Sequence, residues 1–294
     1  METSVLKNFE LSLAIECLKR GEPVVFPTET VYGLGAPLFN EEAVRRIFAI
    51  KGRPLDNPLI AHIASLEDAK RLSDGLSAEF YTLAEAFWPG PLTIVVRRRS
   101  EVPSLVSAGH PTIAIRMPSH PIARRLIEGV GEPLVAPSAN LSGKPSPTCL
   151  MDVLEDLDGK VHYAIDGGEC EVGLESTVIS LYHATPTLLR PGKITREMLE
   201  EVLAQRVVLP EASSPNLSPG MKYRHYAPKA ILKLVYEKEK LQGHFIVPTA
   251  KTLYAQLREA DRLGVTALEI YCDERVQKDE ALMNRLLRAT GQIK

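Results

Sequence analysis

PVVFPTETVYGLG, residues 23–35, opens as a short buried strand and closes on a run of hydroxyl and glycine positions. A strand that only had to turn would need a single turn residue. This one is followed by two threonines, a glutamate, a tyrosine and two glycines. Outward from it, Leu11 to Arg20 reads as an amphipathic helix stopped by Gly21. NEEAVRRIFAIKGR starts a helix with Asn40 as N-cap and two glutamates in its first turn. Strands are expected at NPLIAHIAS, LTIVVRRR, TIAIRMP, PLVAPSAN, YAIDGG, STVISLY and TPTLLRPG. Helices are expected at Leu66 to Leu72, Ser77 to Phe87, PIARRLIEGVG and TREMLEEVL. Strands and helices mix without strict alternation. The expected fold is therefore α/β (α+β), an open mixed sheet, and not a barrel or a regular Rossmann domain.

Around Pro210 the composition shifts. PEASSPNLSPGMKYRHYAPKA is rich in proline and serine and has no apolar period, so it reads as a linker of about 20 residues, long enough to be functional. Beyond it, ILKLVYE, HFIVPT and ALEIYC read as strands, and LYAQLREADRLG and DEALMNRLLRAT as helices. The expected division is 1–208, a linker or lid at 209–229, and a small α/β unit at 230–294. A unit of about 65 residues has too little core to stand alone, so it should lean on the first.

The chain has 294 residues with 45% hydrophobic and 24% charged, as in an ordinary globular protein. A net charge of −2 gives no global field for nucleic acid, so RNA contact would require a local patch. Cys17, Cys149, Cys170 and Cys272 are far apart and form no CxxC, which argues against a metal site or a disulfide framework. No apolar run approaches the ~20 residues of a membrane span. The N-terminus mixes acidic and basic residues at helical spacing, unlike a targeting peptide, so the cytoplasm is expected.

Four constellations stand out. In KGRPLDNPL, Lys51 and Arg53 would share a face of an extended segment and converge on phosphate or carboxylate, with Asn57 nearby. The alternative is a helix C-terminal charge pair. In PSANLSGKPSPT, Ser138 and Asn140 repeat that spacing before a turn rich in glycine, proline and serine, which suits an anion nest or an ordinary turn. It lacks the Walker spacing, and GxGxxG is absent. In TIAIRMP, Arg116 closes an apolar strand with Thr112 on the same face. In GLESTVIS and LLRPG, Ser176 opens a strand and Arg190 ends the next, as a ligand site or a hairpin with charged ends. His62, in LIAHIAS, is a ligand contact or a satisfied core histidine. The repeated device is a strand ending in Arg, Lys, Ser, Thr or Asn, and open α/β sheets hold ligands at strand ends. Such tips suit an anionic, phosphorylated ligand, with catalysis by positioning and charge stabilisation.

PTETVYGLG, KGRP…NPL, FWPGPLTIV, TIAIRMP, APSAN.SG.PSPT, GLESTV and LLRPG occur in this order and together resemble the YrdC-type threonylcarbamoyl-AMP synthases over roughly residues 10–205. SPGMKYRHYAP resembles the linker of the two-domain form. The resemblance implies a nucleotidyltransferase that makes L-threonylcarbamoyl-AMP from L-threonine, bicarbonate or CO₂, and ATP with Mg²⁺, releasing pyrophosphate. Its product feeds threonylcarbamoyladenosine synthesis beside the tRNA anticodon, through a separate transferase complex. It also implies residue roles: catalytic Lys51, Arg53, Ser138 and Asn140 around the phosphates; ATP contacts at Arg53, Asn57, Thr112, Ser138, Ser146, Arg190 and His225; and a threonine pocket of Thr30, His62, Arg116, Ala136 and Ser176. The segment Tyr223 to Tyr226 would fold over the site as a lid. In that light PTETVYGLG is a strand end and turn lining the pocket. Thr30 supplies a hydroxyl, Gly33 and Gly35 let the backbone bend around the ligand, and Pro27 and Tyr32 shape the wall.

The stretch from Ala230 to Lys251 is short for the Rossmann-like second domain of two-domain members, so a trimmed domain is expected. Two other readings compete. A carbamoyl-adenylating relative from hydrogenase maturation would carry zinc-finger-like and acylphosphatase-like parts, which are not visible here. A double-stranded RNA-binding module would use Lys51, Arg53, Arg97, Arg98, Arg99 and Arg116 as a basic concave surface without ATP turnover. A scaffold with a dead site conflicts with the intact Lys/Arg/Ser/Asn tetrad.

Overall fold

The computed structural model describes residues 2–7, 10–210 and 225–292. In chain order these form β1 (Ser4–Leu6), α1 (Leu11–Lys19), β2 (Val24–Phe26), β3 (Gly33–Pro37), α2 (Glu41–Lys51), β4 (Ile60–His62), α3 (Leu66–Leu72), α4 (Ala78–Phe87), β5 (Leu92–Arg97), β6 (Thr112–Arg116), α5 (Pro121–Val130) and β7 (Leu134–Val135). Next come α6 (Leu150–Leu157), β8 (Tyr163–Ile165), β9 (Thr177–Ser180), β10 (Thr187–Arg190) and α7 (Arg196–Leu203). The C-terminal part holds β11 (Ile231–Val235), β12 (Phe245–Ile246), α8 (Leu253–Arg262), β13 (Ala267–Tyr271), α9 (Glu274–Lys278) and α10 (Glu280–Thr290).

The opening stretch is a hairpin. Strand β2 pairs antiparallel with β3, with Val25 opposite Leu34 and Phe26 opposite Gly33. PTETVYGLG reads as a strand end and turn lining the pocket; Gly33 does line the cleft, but Gly33 to Gly35 are the start of a central strand and not part of the turn. Neither Gly33 nor Gly35 has a positive φ. A Cβ on Gly35 would lie 2.4 Å from Phe26 Cε1, so this glycine makes room for a buried ring and does not bend the backbone round a ligand. The turn itself is confined to residues 27–32.

Among the described residues ten strands form one sheet, in the order β1-β8-β2-β3-β7-β4-β6-β5-β9-β10. Its direction is mixed: β4 runs parallel to β6 and antiparallel to β7, and β5 runs antiparallel to β6 and parallel to β9. A sheet covered on both faces needs apolar residues on both, as LTIVV in β5 provides. Helices α2 and α4 pack with the larger core and α1 and α5 with a second one. The caps follow the sequence. Asn40 Oδ1 accepts from Ala43 N at 3.1 Å, and Ser65 with Asp68 closes a capping box on α3. Helix α6 was not anticipated, although Leu150, Val153 and Leu157 carry its helical spacing.

A second sheet is parallel, with β13 between β11 and β12. Parallel neighbours normally need a crossover helix. The connection from β11 to β12, which run in the same direction on either side of β13, holds only a short 3₁₀ turn at Lys238–Lys240, in keeping with the shortness read from the sequence. Its core includes Val31 and Leu174 from the first part packed with Leu253, Tyr254 and Leu257, so this unit does lean on the larger one.

Candidate active site

Strand ends and their following loops converge on one cleft. Its walls include Thr30, Arg53, His62, Arg116, Ala136, Ser138, Ser176, Arg190 and His225, nine residues expected from the sequence. The cleft encloses about 70 Å³, and His225 and Tyr226 stand over it. A larger cavity of about 730 Å³ lies elsewhere, between Pro191–Glu197 and Thr249–Lys251, and its cations Lys193 and Lys278 are solvent-exposed. Converging buried polar groups distinguish the smaller cleft.

One side of it is built from acceptors. Thr28 Oγ1 donates to Val31 O at 2.6 Å and accepts the backbone N–H groups of Thr30 and Val31, fixing the turn. In the 2.9 Å contact between the two hydroxyls either oxygen can be the donor. In both cases Thr30 Oγ1 keeps a lone pair for a donor in the cleft. His62 Nδ1 lies 3.2 Å from Ile60 O. A carbonyl only accepts, so Nδ1 holds the proton and Nε2 is an acceptor. Burial, then the Arg116 charge, bring the His62 pKa down to about 3, so the ring is neutral.

Arg116 is the register partner of His62, on β6 beside β4. Its Nη2 lies 2.7 Å from Glu29 Oε1, and Nε donates to Gly90 O at 3.3 Å. The other Glu29 oxygen accepts Ser119 N at 3.2 Å. Glu29 was quoted within PTETVYGLG but given no role, and it holds the guanidinium in place.

A second group of residues is cationic. Gly52 caps α2 at φ +60, with Gly52 N to Ala49 O at 3.3 Å and Arg53 N to Phe48 O at 3.0 Å, a Schellman turn. Lys51 and Arg53 therefore do not lie on one face of an extended segment, as their spacing suggested. Lys51 turns inward, only 2% exposed, and its Nζ donates to Ser138 O and Asn140 O. It does not line the cleft; it ties down the loop that does. Burial, then Arg53, push its pKa well below the lysine norm. Arg53 does line the cleft and donates to Pro58 O at 3.0 Å. Burial lowers its pKa, Tyr226 offsets part of this and Arg190 adds to it, giving about 10, still charged at neutral pH. Arg190 donates to Ser176 O at 3.0 Å and Ser176 Oγ at 3.2 Å, and that hydroxyl also shares a bond with Thr93 Oγ1 at 2.7 Å.

Four expected contacts besides Lys51 lie outside these walls. Asn140 Nδ2 donates to Leu141 O and Lys144 O, stiffening its own loop. Ser146 Oγ donates to Glu175 Oε1 at 2.5 Å. Thr112 starts β6, about 13 Å by strand rise from the Arg116 end. Asn57 is buried with neither side-chain atom partnered. Of the lid segment, Tyr223 and Arg224 lie outside the described residues. His225 and Tyr226 lie inside them, and burial, then Arg53, lower His225 to about 4. Tyr226 has φ +64, a rare conformation for a bulky residue.

Glu175 is the wall residue that sequence reasoning missed, although it sits inside GLESTV. Its carboxylate accepts from Ser146, from Tyr254 OH at 2.8 Å and from Arg285 Nε at 2.8 Å. Burial raises its pKa, but Arg285 and Arg190 outweigh this and hold it below the carboxylate norm. The basic RNA surface is not assembled. Lys51 and Arg116 are buried, Arg98 donates to backbone carbonyls, Arg99 pairs with Asp74 at 3.2 Å, and Arg97 stacks on Tyr182.

Residues 16–192 match the Sua5/YciO/YrdC family, described as "Telomere recombination", and residues 194–246 match "Threonylcarbamoyl-AMP synthase, C-terminal domain". A threonylcarbamoyl-AMP synthase of Pyrococcus abyssi is 41% identical over 324 aligned residues, covering 97% of this chain and 95% of that one. One from Bacillus subtilis is 48% identical over 241 residues, covering 81% and 70%. The crystal structure of P. abyssi Sua5 complexed with L-threonine aligns with a TM-score of 0.90 at 39% identity, over 98% of each chain. The cleft therefore sits on a shared fold, and the chain belongs to the Sua5/YciO/YrdC family of enzymes, in its form with the synthase C-terminal domain.

Proposed function

We propose that the protein condenses L-threonine, CO₂ or bicarbonate, and ATP into L-threonylcarbamoyl-AMP and pyrophosphate. The observation that carries this is one cleft that gathers two chemistries: the acceptors Thr30 and His62 with Arg116, and the cations Arg53 and Arg190. An α-amino acid presents N–H and O–H donors and a carboxylate, which suit the first group. A triphosphate suits the second. The relatives' shared name and the threonine complex of the P. abyssi protein support the same substrates.

The chemistry balances without a covalent enzyme intermediate. The threonine amine, as free base, attacks CO₂, and the carbamate forms with loss of one proton. A carbamate oxygen attacks the α-phosphorus, and the bond to the β-phosphate oxygen breaks, releasing pyrophosphate. Arg53 and Arg190 stabilise the negative charge that develops on the phosphates. Arg116 fixes the carboxylate, and His62, neutral, orients the amine side.

The donor set is cationic, so it fits the phosphates of Mg·ATP and not a metal held by the protein itself. Mg²⁺ would enter with ATP and neutralise phosphate charge. Asn57, whose backbone carbonyl accepts from Arg53 Nε at 3.4 Å, carries a buried and unpartnered side-chain amide that suits the nucleotide half.

A cleft of about 70 Å³ is far below the roughly 300–1,000 Å³ of a ligand pocket, so ATP enters only when the segment bearing His225 and Tyr226 moves. Residues 209–229 act as that lid between the catalytic part and the C-terminal unit, and closing it keeps water from the carbamate. The product then serves tRNA modification beside the anticodon, through a separate transferase, in the cytoplasm. Among the described residues no helix is long and apolar enough to cross a membrane.

Incubation with ¹³C-bicarbonate, L-threonine and Mg·ATP, read by mass spectrometry, tests the reading. The expected product is an adenylate carrying both the threonine mass and the label. Unlabelled threonyl-adenylate would contradict it.

A further inference from the structure

Arg285, on α10, is fully buried although it belongs to the C-terminal unit. Its guanidinium reaches three groups of the larger part. Nε donates to Glu175 Oε2 at 2.8 Å, and Nη2 donates to Pro191 O at 3.1 Å and Glu175 O at 3.4 Å. Its carbon also lies 5.5 Å from the centre of the Tyr226 ring, and Tyr226 stacks at 5.5 Å on Tyr254, whose hydroxyl donates to the same carboxylate. Glu175 and Tyr226 both line the cleft, next to Ser176 and Arg190. One buried cation therefore fixes a wall residue, the loop after Arg190 and the residue above the cleft.

A second arginine repeats the arrangement. Arg258, on α8, is 4% exposed and donates to Asp156 Oδ2 at 3.0 Å and Pro145 O at 2.6 Å. Asp156 in turn accepts Leu141 N at 3.2 Å and pairs with Lys144 at 2.7 Å, in the loop between Ser138 and Ser146. Holding two units together needs only surface pairs. Burying each arginine against an acid costs desolvation that a mere docking contact would avoid.

We propose that Arg285 is a positioning residue for the nucleotide half of the active site, neutralising Glu175 so that this carboxylate does not oppose the phosphates that Arg53 and Arg190 attract. The inference rests on the nucleotide reading of the cleft and extends it: the C-terminal unit completes the phosphate site. Without Arg285, Glu175 remains a buried anion beside an anionic ligand, which is unfavourable by simple Coulomb repulsion. Of the amino-acid half, Thr30, His62 and Arg116 are not among the partners of Arg285, and only Ser176 adjoins Glu175 in the chain, so threonine binding should change far less than nucleotide binding.

The test is calorimetric binding of a non-hydrolysable ATP analogue with Mg²⁺, and separately of L-threonine, to the full chain. Arg285→Gln should weaken analogue binding about tenfold or more and leave threonine binding within about threefold. Adding Glu175→Gln to that variant removes the unneutralised charge and should recover most of the lost affinity. Equal loss for both ligands, or no recovery in the double variant, would make Arg285 a packing residue and overturn the proposal. If Arg285→Gln does not fold, the double variant Arg285→Gln/Glu175→Gln, which leaves no unpaired buried charge, decides: it should bind the analogue within about threefold of the wild type, and a loss of about tenfold or more would overturn the proposal. Wild-type protein that binds threonine but no analogue would instead sink the nucleotide reading itself.

Discussion

His62 and Arg116 are register partners on the parallel strands β4 and β6, so a neutral imidazole and a guanidinium stand side by side on one wall. Burial, with the cation adding to it, keeps the ring unprotonated, and the ring leaves the cation without a competing charge. The first prediction follows from this pair. The His62 ring should show no titration by NMR between pH 5 and 8. Its ordinary value is 6.5 and its folded value about 3, so between these the unfolded chain holds the extra proton. Stability from this group is complete above 6.5 and is lost as pH falls toward 3, by up to about 1.4 kcal/mol per pH unit. A ring titrating near 6.5 in the folded protein would contradict the geometry.

Arg116→Ala removes the cleft cation proposed to take the amino acid's carboxylate and strands Glu29, which is buried with it at 2.7 Å. Threonine affinity should fall at least about 100-fold, measured by calorimetry. Urea unfolding should show a loss of about 3–5 kcal/mol from the unpaired carboxylate. Threonine binding that survives would place the amino acid elsewhere.

Lys51 and Arg53 should separate experimentally. Lys51 holds the carbonyls of Ser138 and Asn140, so Lys51→Ala should cost on the order of 2–4 kcal/mol of stability, from two buried acceptors left unmet. Arg53 lines the cleft, and on the proposed function Arg53→Ala should lower turnover by about two to three orders of magnitude, with a small change in unfolding midpoint. Near wild-type turnover in Arg53→Ala would remove it from the chemistry.

Gly35→Ala places a methyl 2.4 Å from a fully buried Phe26 ring and should cost about 1–3 kcal/mol by thermal unfolding. Gly33→Ala meets Ala136 Cβ at 3.3 Å and should be milder. The reverse order would mean that the hairpin, not the ring, dictates these glycines.

These two glycines also mark what sequence alone conveys. The apolar strands β4, β5, β6 and β9 are legible because both faces are buried and their residues are β-branched. GLGAP is a strand with almost no β-propensity, and only its pairing with β2 and β7 makes it one. The strand-tip residues Thr30, His62, Arg116, Ser176 and Arg190 meet in one cleft as expected, because strand ends of a sheet gather on one side. The Lys51–Arg53 spacing misled because Gly52 in the left-handed region ends a helix between them, and parity holds only within a strand. Glu175's importance was hidden for another reason. Its partners Tyr254 and Arg285 lie 79 and 110 residues away, and nothing local announces a contact made by docking one unit on another.

The most direct measurement of the central claim is pyrophosphate release from Mg·ATP with L-threonine and bicarbonate added singly and together, with serine and glycine as controls. The account predicts release only when both threonine and bicarbonate are present, and much less with either control. Release that ignores bicarbonate, or none under any combination, would contradict it.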